Sequence, residues 1–190
     1  MKASLFAVPV SVFTLNLLVL SGCGPDEPNS AWSEGASTQE ELGTSKAALE
    51  DGSWVKIVPA HSSKCLDVEN ASMDNGARVQ QWDCWNGSNQ WFRAKMHSYN
   101  SWSFVAGHSG KCLQVEGSAN WNGANLQQSD CTGGPSQLFR LEYVIGVQYR
   151  MRPETSSRCL DVSNYSWSNG AQVVLWECNI GNNQLFSFFK

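Results

Sequence analysis

Six of the seven cysteines are spaced for covalent cross-linking. They form pairs whose members lie 19 residues apart, and the pairs recur every 47 residues. An even set of cysteines at a fixed spacing is typical of disulfides in an exported protein. A zinc site is the alternative, but no two cysteines lie within the span of about two to four residues that paired zinc ligands usually use. We therefore predict no metal site and three disulfides, each worth about 3 kcal/mol in the loop-entropy model: Cys65–Cys84, Cys112–Cys131 and Cys159–Cys178.

The other reactive side chains do not form a recurring catalytic set. Asp67 and Glu69 could share one face of a strand, as the carboxylate pair of a hydrolase does. The equivalent residues further along the chain are Asp161 and Ser163, so the pair is not repeated. No Gly-x-Ser-x-Gly motif and no histidine-rich metal signature occurs. We predict that the protein is not an enzyme and needs no cofactor.

The cysteine pairs belong to a unit that is repeated three times without gaps, at about 53–99, 100–146 and 147–190. Each copy has an Asn-Gly turn that favours positive φ and four short strand-like runs. The predicted strands start at Trp54, Cys65, Val79 and Trp91, then at Trp102, Cys112, Asn125 and Leu138, and finally at Tyr149, Cys159, Val173 and Leu185. One copy is too small to bury a core alone. We therefore predict one all-β domain over 53–190, with twelve short strands and pseudo-threefold symmetry. Its shared core is expected to contain Leu66, Leu113, Leu160, Phe92, Phe139 and Phe186.

The charge of the chain is concentrated before this domain. Of 17 acidic residues, seven lie between Gly24 and Gly52, where there is a single lysine, and the formal net charge of the whole chain is −4. The repeats are therefore nearly neutral, and they are rich in Asn, Gln, Ser and Trp. This composition excludes the basic field that a nucleic acid requires and favours a neutral polar ligand.

The first 22 residues are typical of a signal peptide: Lys2, then an apolar run that ends in Leu-Ser-Gly before Cys23. This ending resembles a bacterial lipobox, which implies that Cys23 is lipidated and anchors the protein to a membrane. An ordinary cleaved signal is the alternative; either way the protein is exported. Residues 23–52 contain Pro, Gly, Ser and acidic residues with little to bury, so we predict a disordered tether.

The order of motifs in each repeat resembles the ricin B-chain type lectin family. These motifs are Cys-Leu-Asp-Val, a Gly-Ala turn, Gln-x-Trp-x-Cys and Asn-Gln-x-Phe, and together the copies cover 53–190. The family's usual Gln-x-Trp ending is Gln-x-Phe here, which keeps an apolar residue. The resemblance implies a β-trefoil fold and sugar binding.

By the same resemblance, two repeats carry a sugar site. An aspartate would accept hydrogen bonds from sugar hydroxyls, an indole would stack on the ring, and amides would complete the rim or hold the aspartate. The first site consists of Asp67, Gln80, Trp82, Asn89 and Gln90. The third repeat has Asp161, Trp176, Asn183 and Gln184, with Val174 in place of the rim glutamine.

The second repeat separates the predicted site from the predicted scaffold. It has Gln114, Ser129 and Ser136 where the other repeats have Asp, Trp and Asn, yet it keeps its cysteines and Gln137. A requirement of the fold would have kept all of them, so we predict that this site is silent.

We therefore predict a monomeric, non-catalytic lectin on the cell envelope, whose partners are glycans, with galactose-type sugars favoured. A β-trefoil scaffold that binds another protein, as an inhibitor does, is the alternative. Opposite charges beside each disulfide also predict three surface ion pairs: Lys64–Asp83, Lys111–Asp130 and Arg158–Glu177.

Overall fold

The computed structural model describes residues 49–190, and these residues form twelve β-strands. The first repeat contributes β1 (Trp54–Pro59), β2 (Cys65–Val68), β3 (Val79–Trp82) and β4 (Phe92–Ser98). The second contributes β5 (Ser101–Ala106), β6 (Cys112–Val115), β7 (Leu126–Ser129) and β8 (Phe139–Ile145). The third contributes β9 (Gln148–Pro153), β10 (Cys159–Val162), β11 (Val173–Trp176) and β12 (Phe186–Phe189). Single turns of 3₁₀ helix span Glu69–Ala71, Ser88–Gln90, Glu116–Ser118, Pro135–Gln137, Ser163–Tyr165 and Asn182–Gln184.

Six strands form a closed ring and the other six form three hairpins. The ring follows the order β4, β1, β12, β9, β8, β5 and back to β4. The hairpins β2–β3, β6–β7 and β10–β11 share one register, in which the first cysteine of each repeat faces Trp82, Ser129 or Trp176. This arrangement is the predicted β-trefoil of three equivalent repeats.

The core lies inside the ring and under the hairpins. All six predicted core residues are fully buried there: Leu66, Leu113, Leu160, Phe92, Phe139 and Phe186. Phe104 and Phe188 stack with ring centroids 5.6 Å apart and fill the same cluster. Since each hairpin is only four residues long on each side, the ring of large side chains from all three repeats supplies the apolar burial that one repeat lacks.

The three predicted disulfides form, with Cα–Cα separations of 5.0 to 5.1 Å. Each joins the first residue of a hairpin to the segment that follows its second strand. The disulfide therefore closes the end of the hairpin at which Trp82 lies in the first repeat and Trp176 in the third. A set of three disulfides is typical of an exported protein. Among residues 49–190, no cluster of His, Cys, Asp or Glu is arranged to hold a metal ion.

The Asn-Gly turns connect neighbouring repeats. The glycines Gly76, Gly123 and Gly170 have φ between 83° and 91°, so the predicted turn chemistry is present. The Asn75 amide donates to the Asp130 carboxylate at 2.8 Å and accepts from the Asp130 N–H at 3.0 Å. Asn169 makes the same two bonds with Asp83.

Two of the three predicted ion pairs form, and the third prediction is wrong. Lys64 lies 2.5 Å from Asp83, and Lys111 lies 2.5 Å from Asp130. Arg158 instead donates to the Asn122 side chain at 2.7 Å and to the Asn120 carbonyl at 2.9 Å. The guanidinium reaches further than an ammonium and has several donors. It therefore hydrogen-bonds to the turn of the preceding repeat instead of pairing with Glu177.

The folded body begins ahead of the predicted boundary at Ser53. Leu49 packs against the core, the Gly52 N–H donates to the Ala94 carbonyl at 2.8 Å, and Glu50 lies 2.7 Å from Lys190. The predicted signal peptide, Cys23 and most of the predicted tether lie outside the described residues. No helix within residues 49–190 could span a bilayer.

Candidate functional site

A buried carboxylate lies at the centre of the first-repeat hairpin. Asp67 is on β2 and faces Gln80 on β3. One carboxylate oxygen accepts from the Gln80 amide at 3.2 Å. The other accepts from Asn89 at 2.8 Å and from Gln90 at 2.9 Å. Three amides of the predicted set therefore donate to Asp67 and hold its carboxylate in a single orientation.

Gln90 ties this carboxylate to the backbone. Its amide nitrogen also donates to the Asp83 carbonyl at 3.0 Å, and its oxygen accepts from the Trp85 N–H at 2.9 Å. The side chain is fully buried. The residue therefore acts as a support behind Asp67, while Asn89, which also donates to the Val68 carbonyl at 3.1 Å, lies at the cavity itself.

The indole of Trp82 lies outside the core. It is 42% exposed, at the last residue of β3, and it lines a cavity of about 330 Å³. Asp67, Gln80 and Asn89 line the same cavity. The structure thus places this indole at the surface, beside the carboxylate.

The third repeat builds a second cavity, of about 340 Å³, from equivalent residues. The buried Asp161 accepts from the Gln184 amide at 2.8 Å, and Asn183 donates to the Val162 carbonyl at 3.1 Å. Trp176 is 45% exposed and lines the cavity. Val174, which faces Asp161 in the strand register, has no donor to offer the carboxylate.

The carboxyl group of Asp161 has a raised pKa. Burial raises it, because desolvation penalises the charged form, and hydrogen bonds from Gln184 and Asn183 together with the nearby His61 oppose the shift. An anionic acceptor that is costly to bury gains most when a ligand supplies further donors. The carboxylate of Asp161 therefore loses its charge at a higher pH than an exposed aspartate does.

The second repeat keeps the supporting glutamine but not the carboxylate and the indole. Gln137 donates to the Gln114 side chain at 2.9 Å and to the Asp130 carbonyl at 2.8 Å, and it accepts from the Thr132 N–H at 2.8 Å. Neither a carboxylate nor an indole stands at the equivalent positions, which hold Gln114 and Ser129. The glutamine thus has the same bonding role in every repeat, with or without an aspartate.

Two aromatic residues that sequence reasoning missed also line the cavities. Trp85 is in the first cavity, where the third has Asn179, and Tyr165 is in the third, where the first has Ala71. Neither aromatic residue recurs at the equivalent positions of the other repeats. This departure from the threefold repetition could have identified both residues from the sequence.

The fold and its hairpin cavities define a β-trefoil protein of the lectin type. The chain belongs to the ricin-type β-trefoil lectin domain-like family, whose model matches residues 41–99 and 92–176. No curated protein matches the sequence.

Solved structures agree on the fold. The designed threefold-symmetric protein ThreeFoil is 38% identical, with a TM-score of 0.71, over 72% of this chain and 98% of its own. The exo-β-1,3-galactanase 1,3Gal43A from Clostridium thermocellum is 25% identical, with a TM-score of 0.70, over 74% of this chain and 30% of its own. The ricin B-like lectin of Macrolepiota procera, solved in complex with lactose, is 19% identical, with a TM-score of 0.62, over 73% of this chain and 96% of its own, and supports the fold alone.

Proposed function

We propose that the protein is a non-catalytic lectin that binds carbohydrate through two sites, in the first and third repeats. The observation that carries the proposal is the pairing, twice, of a buried carboxylate with a half-exposed indole in one surface cavity. Asp67 with Trp82 and Asp161 with Trp176 form these pairs. The second repeat, with Gln114 and Ser129, is the silent one.

The chemistry of a pyranose fits this pairing. One face of the ring is a patch of C–H groups that an indole covers, and the rim carries adjacent hydroxyls. A carboxylate accepts from two hydroxyls at once, and charged acceptors make stronger hydrogen bonds than neutral ones. Asn89 and Asn183, which line the cavities, would complete the rim. Binding of this kind requires no general acid or base.

A galactose-type sugar is the ligand that we favour. The chain is 25% identical to part of a β-1,3-galactanase, of which it spans 30%, and this similarity supports a galactose-containing ligand. The first and third sites differ at Gln80 and Val174, so we expect the third site, with one rim donor fewer, to bind more weakly.

We further propose that the lectin is monomeric and is displayed on the cell envelope through a lipid on Cys23. The three disulfides fit an exported domain, and the part of the predicted tether that precedes the folded body, residues 23–48, would act as the tether. Two shallow sites on one rigid body, and many copies on one membrane, would bind multivalent glycans by avidity.

A glycan array tests the proposal. The full-length protein, produced in an oxidising host, should bind galactose-containing glycans, and free galactose should displace it. Absence of signal on every glycan, with capture of a protein partner instead, would favour the interaction-scaffold alternative and overturn the proposal.

A further inference from the structure

Each cavity holds a second aromatic side chain, and the two lie at different places. In the first cavity it is Trp85, which follows the strand that carries Trp82. In the third it is Tyr165, which follows the strand that carries Asp161. The equivalent positions hold non-aromatic residues: Asn179 in the third repeat corresponds to Trp85, and Ala71 in the first corresponds to Tyr165.

The strand registers put these residues at opposite ends of the hairpin. In the first repeat Cys65 faces Trp82 at one end, and Val68 faces Val79 at the other. Trp85 belongs to the segment that leaves the first end. Tyr165 belongs to the turn that leaves the opposite end of its own hairpin, after Val162. In both of these hairpins the carboxylate, Asp67 or Asp161, lies between the two ends.

The backbone of Tyr165 is unusual for a bulky residue. Its φ is 53°, in the left-handed region, and the equivalents Ala71 and Ser118 have φ of 49° and 54°. The fold therefore sets this conformation in every repeat, and two repeats fill it with a small residue. A large side chain is disfavoured there, and such an outlier points towards function rather than folding.

The Tyr165 ring is nevertheless held in place. It meets the edge of His61 with ring centroids 5.0 Å apart, and a His61 ring nitrogen lies 2.8 Å from the Ser166 carbonyl. The residue stays 43% exposed and lines the cavity. An ordered, half-exposed phenol beside a binding cavity is suited to contact a ligand at low entropic cost.

Trp85 is held by a different device. A Cβ on Gly87 would lie 2.3 Å from Cζ2 of Trp85, so the indole rests directly on this glycine. The Trp85 carbonyl accepts from Lys56 at 2.9 Å, and the equivalent Asn179 carbonyl accepts from Arg150 at 2.9 Å. Because the two loops make the same backbone hydrogen bond, the two cavities differ here in the side chain alone, Trp85 in one and Asn179 in the other.

We infer that each cavity has a subsite for a second sugar ring, formed by Trp85 in the first repeat and by Tyr165 in the third. Both sites would take the same terminal pyranose at the carboxylate, and the next ring of the glycan would leave in a different direction from each. The two sites would then select galactosyl disaccharides that differ in linkage. This inference rests on the proposed function.

Two single-site proteins test it. Trp82→Ala leaves the third site and Trp176→Ala leaves the first, and calorimetry on each measures galactose and galactosyl disaccharides with β-1,3 and β-1,4 linkages. The two proteins should rank the disaccharides differently. Adding Tyr165→Ala to the third-site protein should lower the affinity for its preferred disaccharide about 3- to 10-fold and leave galactose binding within about twofold.

The first-site protein gives the matched comparison. In this protein Trp85→Ala should lower the affinity for the preferred disaccharide by a similar factor. Tyr165→Ala should leave both the galactose affinity and the disaccharide affinity of the first site unchanged.

Three results would overturn the inference. The first is the same ranking of disaccharides by both single-site proteins. The second is a Tyr165→Ala effect that is equal for galactose and disaccharide, or absent for both. The third is a loss of folding in Tyr165→Ala, seen as a lowered thermal transition, because the ring would then be structural. If neither single-site protein binds any sugar, the proposed function itself fails, and the subsites fail with it.

Discussion

The Gln184 side chain donates its amide to the carboxylate of Asp161 at 2.8 Å, and the amide oxygen accepts a backbone N–H at the other end. The same bridge occurs behind Asp67 and also behind Gln114, where no sugar site is proposed. One residue type thus connects the end of each hairpin to the residue at its centre. Scaffold and proposed site share this connection in the first and third repeats, and only the scaffold uses it in the second repeat.

Replacing the bridging glutamine should therefore give different results in different repeats. Gln137→Ala should lower the free energy of unfolding by about 1 to 3 kcal/mol, because it leaves buried polar groups unpaired, and should leave glycan binding unchanged. Gln184→Ala should cost similar stability and also weaken the third site, which a Trp82→Ala background isolates. Denaturant unfolding and calorimetry measure the two effects. A loss of sugar affinity in Gln137→Ala would contradict the separation.

Removing both cavity indoles should abolish binding without unfolding the domain. Trp82→Ala combined with Trp176→Ala deletes two half-exposed rings, so we expect the free energy of unfolding to change by about 1 kcal/mol or less. Trp121→Ala removes an indole that is exposed but lines neither cavity, and it should keep full binding. A collapsed thermal transition in the double variant would mean that the indoles hold the core together.

The silent repeat should become a site when its missing groups are restored. Gln114→Asp with Ser129→Trp and Ser136→Asn rebuilds the set, and Gln127 already faces position 114 as Gln80 faces Asp67. In a protein that lacks Trp82 and Trp176, this triple change should create galactose binding on the array. The matched control carries Gln114→Asn instead, which supplies no charged acceptor, and should bind weakly or not at all.

The third site should weaken in acid. Burial raises the pKa of Asp161 above its ordinary value of 3.8, so the acceptor charge is lost at a higher pH than for an exposed aspartate. Sugar affinity in the Trp82→Ala protein should fall as the pH decreases through this raised pKa. Stability has the opposite sign: the native state binds the proton more readily than the unfolded chain, so the cost of the buried charge is relieved as the pH falls. Titrations of binding and of unfolding check both signs, and Asp161→Asn should remove both dependences.

The disulfide of the silent repeat should affect stability alone. Replacing Cys112 and Cys131 with serine opens a loop worth about 3 kcal/mol and touches no proposed sugar contact. Replacing Cys65 and Cys84 opens the equivalent loop next to Trp82, so binding at the first site should fall as well. Equal binding by the two variants would show that the cross-link does not position the indole.

The sequence predicted the parts of this protein that repetition controls. The step of 47 residues located the hairpins, and the strands that begin at their predicted residues are β1, β2, β3, β6, β10 and β11. The apolar positions that recur, such as Phe92, are buried because each repeat must contribute to one core.

What the sequence did not predict lies where the repeats differ. Arg158 contacts Asn120 and Asn122 because a guanidinium can reach the preceding turn, a geometry that no spacing rule encodes. Trp85 and Tyr165 enter the cavities from loops, so their proximity to the carboxylates needed the tertiary structure. β4 begins at Phe92 rather than Trp91, because the Trp91 N–H donates to the Ser88 carbonyl and closes the 3₁₀ turn.

Since β1 pairs with β12, the six ring strands close on themselves and leave no unpaired edge among them. An open sheet edge is a template on which another extended chain can add, and crowded proteins aggregate through such edges. The six ring strands of this domain offer no such edge, so strand-by-strand addition between two copies is blocked along the whole ring.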